Sequence, residues 1–388
     1  MSLLILSTVL FLGAIVIVTW LHNQAWLDVR TPHVPTPPGG PPISVLVPAR
    51  NEEKNIRRCV EALLAQDYPN FQVLVLDDRS TDSTSAILAE LSARDSRLVI
   101  LAGRELPAAW AGKPHALHQA AASATGEWLL FLDADTFLHP NALSAALAAA
   151  KKSQADMYTV MTEQLTGSFW EKTVMPLVLT ALSVGFSPRK VNDPNTRDAI
   201  ANGQFIFIRR DIYDSIGGHE AVKDQIVEDK ALSEKVKWGG HRLIVADGRG
   251  IAQTRMYTDL PSMWEGWTKN IYLGLSDRPG LLLLGVFGAA LALMAAFVLP
   301  AWPIFGLVWY LNSGGWMALV VVLEALLVWA YILFARMKVN QNMGISPWYA
   351  LTTPLGAGVF AAMMLTSAWK VLSGQGVTWK GRNYKNHR

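Results

Sequence analysis

The sequence predicts an α/β domain built on a doubly wound, mostly parallel sheet. It is carried between one N-terminal and about three C-terminal apolar segments long enough to span a bilayer. Three observations predict this. Short apolar runs alternate with helix-length stretches over residues 43–152, the pattern of repeated β-α units. Hydrophobic residues make up 51% of the 388-residue chain and charged ones only 17%, and the apolar excess gathers at the two ends. The apolar run 128–132 closes on Asp133-Ala-Asp135, as a buried strand delivering acids to the rim of an open sheet would.

Residues 1–21 are uncharged and almost wholly apolar, long enough to cross a bilayer. With no basic leader and no small-residue cleavage site, a retained anchor over 1–22 is expected rather than a cleaved signal. Residues 31–42 hold six prolines in twelve positions and predict a stiff, extended linker. Strands are expected at 43–47, 72–76, 98–101, 128–132 and 205–208. Helices are expected at 51–66, 82–93 (with Asp82 as N-cap), 114–124, 141–152 and 227–237. Residues 169–186 are mostly apolar within the polar middle; they predict a core helix or, preferably, a helix on the membrane interface. Further spans are expected at 281–299, 316–334 and about 348–369. The last holds Pro354, Gly356 and Gly358, so a full crossing and a broken, re-entrant or interfacial segment both stay open. The expected domain is therefore 43–275, followed by a membrane region over 280–372 and a basic tail over 373–388.

The formal charge of +3 is slight, and Arg336, Lys338, Lys370, Lys380, Arg382, Lys385 and Arg388 lie beside apolar segments. That placement favours anionic lipid surfaces and excludes a nucleic-acid-binding footprint. Arg30 follows the first span, so the middle domain is expected on the cytosolic side of a multi-pass inner (plasma) membrane protein. A single cysteine, Cys59, excludes an intrachain disulfide and a multi-cysteine zinc site.

The strand ends carry the chemistry. The first closes on Pro48-Ala-Arg-Asn-Glu-Glu53, the second on Asp77-Asp-Arg-Ser-Thr-Asp82 and the fourth on Asp133-Ala-Asp135. In a doubly wound sheet these ends converge on one crevice. Two aspartates there can share a hard divalent cation with a diphosphate. Asp77 or Asp78 can accept from a base N–H or a ribose hydroxyl. Gly112-Lys113 opens a helix, where a lysine and the helix N-terminus can both meet a diphosphate. His115 and His118 have the i,i+3 spacing of a metal pair but no evident third ligand. No Gly-x-Gly-x-x-Gly or Walker loop occurs, which disfavours dinucleotide and P-loop sites. Glu228 and Asp229 open a later helix; they either complement its dipole or supply a general base.

Pro48-x-x-Asn-Glu, Asp77-Asp-x-Ser-x-Asp82, Gly112-Lys113, Asp133-x-Asp135 and Glu228-Asp229 occur in the order of the inverting family 2 glycosyltransferases, which this sequence resembles over about residues 43–275. The resemblance implies a GT-A fold and a nucleotide-sugar donor, UDP-glucose by default. It implies that Pro48, Asn51, Glu53, Asp77 and Asp78 hold the nucleoside side of the donor, and that Lys113 meets its diphosphate. Asp135 would hold Mn²⁺ or Mg²⁺, with Asp133 beside metal and donor. Gly203 and Gln204 would line the sugar, and Asp229, with Glu228, would supply the base. Processive members and the ceramide glucosyltransferases carry Gln/Arg-x-x-Arg-Trp after the base. Here the region reads Met263-Trp-Glu-Gly-Trp-Thr-Lys-Asn270, so a single transfer is expected.

Leu106-Pro-Ala-Ala-Trp-Ala-Gly-Lys113, Trp264-Glu-Gly-Trp267 and Gly376-Val-Thr-Trp-Lys-Gly-Arg382 look like bacterial membrane glycosyltransferases associated with carotenoid or hopanoid genes. Trp264 and Trp267 would then stack on an acceptor or anchor their helix at headgroup level. The expected acceptor is a hydroxyl of a membrane lipid such as a carotenoid or other isoprenoid. The alternatives are a polyisoprenyl phosphate, which Arg189, Lys190, Arg278 and the basic tail keep open, and a ceramide or diacylglycerol. A transporter would need charges inside the spans, and only Glu324 qualifies.

Overall fold

The computed structural model describes residues 1–24, 40–185, 187–276, 279–379 and 382–384. The linker as far as Gly39, Arg30, Arg278, Lys380, Lys385 and Arg388 lie outside the described residues. Two compact units form, one from Met1–Trp26, Thr166–Gly185 and Tyr257–Arg388, the other from Leu27–Leu165 and Phe186–Met256.

Helix α1 (Ser2–Gln24) opens the chain. In the second unit β1 (Ile43–Ala49), α2 (Ile56–Leu64), β2 (Phe71–Asp77), α3 (Thr84–Ser92), β3 (Leu98–Ala102), α4 (Gly112–Ser123) and β4 (Trp128–Phe131) alternate as expected. They are followed by β5 (Thr136–Leu138), α5 (Ala142–Ser153), β6 (Met157–Met161) and β7 (Glu163–Gln164). Helix α6 (Phe169–Gly185) belongs to the other unit. The second unit then resumes with α7 (Pro188–Asn192), β8 (Ile206–Arg209), α8 (Arg210–Ser215), α9 (Glu228–Trp238), β9 (Leu243–Asp247) and β10 (Ala252–Thr254).

The main sheet has the order β3-β2-β1-β4-β8-β6-β9. All neighbours are parallel except β8, which is antiparallel to β4 and β6. Strand periodicity divides its side chains between two apolar layers. Val45, Val47, Val73, Val75 and Leu130 pack on one face, while Leu46, Leu74, Leu76, Leu129 and Phe131 pack on the other. Burial on both faces is why these strands are nearly continuous apolar runs. A small second sheet, β5-β10-β7, stands beside the carboxyl end of β4.

Helix α2 starts at Ile56 rather than at residue 51. Asn51 takes a left-handed backbone (φ 55°), and the N–H groups of Asn51, Glu52 and Glu53 donate to Ser80, Thr84 and Asp82 instead of entering a helix. Helix α3 starts at Thr84 with Ser83, not the expected Asp82, at its N-cap position; Asp82 stands one residue earlier, and its Oδ1 accepts from the Thr84 N–H at 3.0 Å.

The first unit gathers α1, α6, α10 (Leu260–Ser276), α11 (Pro279–Leu293), α12 (Leu299–Ser313), α13 (Trp316–Asn342) and α14 (Thr353–Ser373), with a hairpin of β11 (Val377–Trp379) and β12 (Arg382–Tyr384). Among the described residues four stretches are long and apolar enough to cross a membrane: Ser2–Trp20, Gly285–Ser313, Trp316–Asn342 and Pro347–Ser373. The second of these runs past the expected end at 299, because a π-helical turn at Met294–Val298 carries α11 into α12, which has Pro300 in its first turn. The last stretch is not broken within its helix: Pro354 lies in the first turn of α14, where no N–H is missed.

Two prolines inside helices each remove the N–H that would meet the carbonyl four residues earlier. Pro303 leaves the Leu299 carbonyl, which accepts from the Trp329 indole at 2.6 Å. Pro176 leaves the Lys172 carbonyl, which accepts from Arg336 Nη2 at 3.2 Å. Glu324, the acid within α13, accepts from the hydroxyls of Ser7 and Thr8 on α1 at 2.5 and 2.8 Å.

Candidate active site

The parallel register puts the ends of β1, β2 and β4 side by side: Ala49 pairs with Asp77, and Leu46 with Phe131. Pro48 is half-buried in the last turn of β1. Asn51 Oδ1 accepts from the Thr81 N–H at 2.8 Å, and Glu53 Oε2 from the Ser83 N–H at 3.1 Å. Asp77 Oδ1 accepts from the Ser80 N–H at 3.0 Å, and its Oδ2 from the Ser85 hydroxyl. These three acids and amides therefore brace the loop between β2 and α3. Asp78 is buried, with Arg50 at 3.4 Å and Arg79 at 3.8 Å.

The lysine that opens α4 is the hub of the site. Lys113 Nζ lies 2.7 Å from Asp133 Oδ1 and 2.7 Å from Glu228 Oε1. Burial disfavours its ammonium, but Asp133, Glu228 and Asp229 outweigh that and hold its pKa well above the ordinary lysine value. Burial pushes the Glu228 carboxyl up against the pull of Lys113, with Asp229 and Asp133 adding to the rise. Glu228 is 4% exposed, so this acid at the start of α9 faces inwards and is more than a helix-dipole complement.

Asp229 accepts from the Gly203 N–H at 2.9 Å through Oδ2 and from the Lys230 N–H at 2.7 Å through Oδ1. A methyl group on Gly203 would meet Lys113 Nζ at 2.9 Å and Asp229 Oδ2 at 3.0 Å. Glycine is what lets this segment approach both groups. Gln204 is buried, accepts from the Thr162 hydroxyl at 2.5 Å and donates to Thr254 Oγ1 at 3.4 Å. The Thr254 hydroxyl in turn donates to the Asp135 carbonyl at 3.2 Å. Gln204 thus ties the β8 entry to the loop that carries Asp135.

Four residues absent from the sequence reading support this geometry. Thr162, Thr254 and Asn202 form the chain of hydrogen bonds around Gln204. Their polar side chains sit on a three-residue strand and on loops, where periodicity carries no signal. His219 is buried, shares a 2.9 Å hydrogen bond with the Tyr213 hydroxyl and stands edge-on to Phe131. Burial, together with Lys113 and His118, lowers its pKa to about 3, so it is neutral. Its signal was the preceding Gly217-Gly218: both have positive φ, and a methyl group on Gly218 would strike the Tyr213 ring at 2.6 Å.

Among the described residues no group of three or more His, Cys, Asp or Glu could hold a metal ion, which leaves the His115/His118 pair without a set. The donors still suit Mn²⁺ or Mg²⁺. Three carboxylates gather around one ammonium, leaving net negative charge. Asp133 and Asp135 offer hard oxygens at the sheet rim, and Mg²⁺ is ordinarily held by one or two carboxylates plus substrate phosphates.

Trp264 and Trp267 lie on α10 in the other unit. Trp264 is half-buried; Trp267 is buried, donates to Met175 Sδ at 3.4 Å and packs near Tyr257.

The profile of glycosyl transferase family 2 matches residues 44–217, the segment that carries Pro48, Asp78, Lys113 and Asp133-Ala-Asp135. The chain carries a family 2 glycosyltransferase domain. The glycosyltransferase is 27% identical over 259 residues to the 4,4'-diaponeurosporenoate glycosyltransferase of Staphylococcus aureus strain MRSA252, covering 65% of this chain and 68% of that protein. The enzyme of the same name from strain USA300 is 26% identical, with the same coverage. Among solved structures, the mannosyltransferase PcManGT of Pyrobaculum calidifontis, in complex with GDP-Man and Mn²⁺, superposes with a TM-score of 0.53 at 19% identity, covering 96% of this chain and 98% of that one. This likeness establishes the shared GT-A-type fold of the glycosyltransferase, with a parallel-rich central sheet and apolar terminal helices.

Proposed function

We propose that this glycosyltransferase moves one sugar, with inversion, from a nucleotide-sugar donor to an isoprenoid lipid of the carotenoid class. The observation that carries the reading is the Lys113 cluster. One ammonium meets Asp133 and Glu228 at 2.7 Å each, beside an Asp229 held by the Gly203 N–H at 2.9 Å. Residues spread over 116 positions of the sequence, from Lys113 to Asp229, contribute to a single diphosphate-and-base arrangement.

In the proposed mechanism Asp78 and the braced loops from Asn51, Glu53 and Asp77 hold the nucleoside. Lys113 draws charge from the departing diphosphate, and Asp135 with Asp133 would hold Mn²⁺ or Mg²⁺. A divalent ion there supplies Lewis-acid stabilisation of the leaving group. Asp229 takes the proton from an acceptor hydroxyl once that group is within hydrogen-bond reach. Carotenoid acceptors are supported by the names of the S. aureus relatives, a lipid acceptor by the four membrane-length helices, and a divalent ion by the Mn²⁺ bound to the mannosyltransferase. UDP-glucose is the first donor to assay. The catalytic unit is assigned to the cytosol, where nucleotide sugars are made.

A second reading has its own observation. The relatives' acceptor, diaponeurosporenoate, is by name a carboxylate, and a carboxylate oxygen attacks without a general base. Asp229→Asn separates the two: with a hydroxyl acceptor turnover falls about 100-fold or more while UDP binding holds, whereas with a carboxylate acceptor turnover persists. Lipid mass spectrometry of cells with and without the gene tests the whole reading. A hexose increment on an isoprenoid lipid is expected, and an unchanged lipid profile would sink it.

A further inference from the structure

Arg336 lies on α13, six residues before its end, and is 5% exposed. Its Nη2 donates to the Lys172 and Thr173 carbonyls at 3.2 and 2.9 Å. Both acceptors are neutral. Arg336 Nε and Nη1 are buried with no hydrogen-bond partner among the described residues. Asn340, one turn further along the same helix face, is 0% exposed, and neither its Nδ2 nor its Oδ1 has a partner among them. The hydroxyl of Thr173, whose carbonyl Arg336 already meets, is likewise buried without one.

Buried polar groups are almost always satisfied, and a buried guanidinium needs a counter-charge as well as acceptors. Water can meet an N–H but not balance the charge. The surroundings say what can. The pair stands near the end of a membrane-length helix, beside the 3-10 turn Pro347–Thr352 and α6. The turn exposes Trp348, and Tyr349 lies 5.7 Å from Lys172 Nζ. An exposed tryptophan beside a half-buried tyrosine and lysine at a span's end marks the headgroup level of a bilayer.

We propose that Arg336 and Asn340 form a site for the oxyanion, phosphate or carboxylate, of a membrane lipid headgroup. The guanidinium donates to the oxyanion, Asn340 Nδ2 adds a second donor, and Asn340 Oδ1 accepts from a headgroup hydroxyl. This site is independent of which lipid receives the sugar, because its test reads binding and not transfer.

The test uses the full chain in detergent and measures the binding of dioleoyl phosphatidylglycerol, sodium oleate, neutral dioleoylglycerol and inorganic phosphate. Phosphatidylglycerol or oleate is expected to bind at least about tenfold more tightly than dioleoylglycerol, and whichever is preferred names the oxyanion as phosphate or carboxylate. Arg336→Gln and Asn340→Leu should each weaken that binding about tenfold. Asn340→Leu leaves the Arg336 contact to α6 intact, so it answers the question even where Arg336→Gln fails to fold. Equal binding of dioleoylglycerol, or unchanged affinity in Asn340→Leu, overturns the proposal. Displacement of the lipid by inorganic phosphate at equal concentration overturns its lipid source.

Discussion

Gly203 concentrates the chemistry of the site in the absence of a side chain. Its N–H holds Asp229, and its bare Cα lets Lys113 and Asp229 stand within about 3 Å of where a methyl group would be. Gly203→Ala should therefore lower kcat/KM at least about tenfold, since a small displacement of a charged group costs that much, while the far-ultraviolet circular dichroism is unchanged. Full activity would show that the close approach is incidental. His219 makes a prediction about acid stability. Its pKa falls from 6.5 to about 3 on folding, so its contribution is present above pH 6.5 and is lost as pH drops towards 3. Between pH 7 and pH 5 the fold should lose about 2 kcal/mol from this group alone. His219→Gln, which keeps a partner for Tyr213, should flatten that limb in urea unfolding. Lys113, Asp133 and Asp229 were all legible as strand-end and helix-start residues. His219 and Thr254 were not, because support from behind a site leaves no spacing in sequence.

At the scale of elements, α13 repairs what prolines remove. Trp329 and Arg336 each donate to a carbonyl that Pro303 or Pro176 cannot let its own helix satisfy. Unmet backbone groups are costly in hydrocarbon, so such repair is what makes a proline tolerable there. Trp329→Phe should destabilise the detergent-solubilised protein by about 1 kcal/mol, and Pro303→Ala, which restores the backbone N–H, should recover most of it in thermal unfolding. No recovery would separate the two residues. Glu324 has the same character. In sequence it is a lone charge in an otherwise apolar segment, too little for a transport path, and the hydroxyls of Ser7 and Thr8 make it a clasp between α1 and α13. Joint Ser7→Ala and Thr8→Ala substitution should cost about 1 kcal/mol. The five expected strands, β1 to β4 and β8, were placed to within two residues because apolar runs mark them directly, whereas β5, β6, β7, β9 and β10 were not foreseen. The start of α2 was missed because a left-handed Asn51 and its loop partners compete with the helix for the same N–H groups.

For the whole molecule, the four membrane-length helices predict that alkaline carbonate leaves the full chain in the membrane pellet, and release into the supernatant would contradict them. Helix α6 was the hardest element to assign, since an apolar stretch between polar ones suits a core and an interface equally. Its packing with the apolar helices assigns it to their unit, which periodicity could not do. That placement has a consequence for synthesis. The Thr173 carbonyl and the Arg336 guanidinium that meets it are 163 residues apart, which at ~5–20 residues per second is about 8–30 s of translation. Throughout that interval the ribosome has delivered a proline-interrupted apolar helix whose partner does not yet exist. The nascent chain must shelter it, on the bilayer surface or with a chaperone, until the third long span emerges.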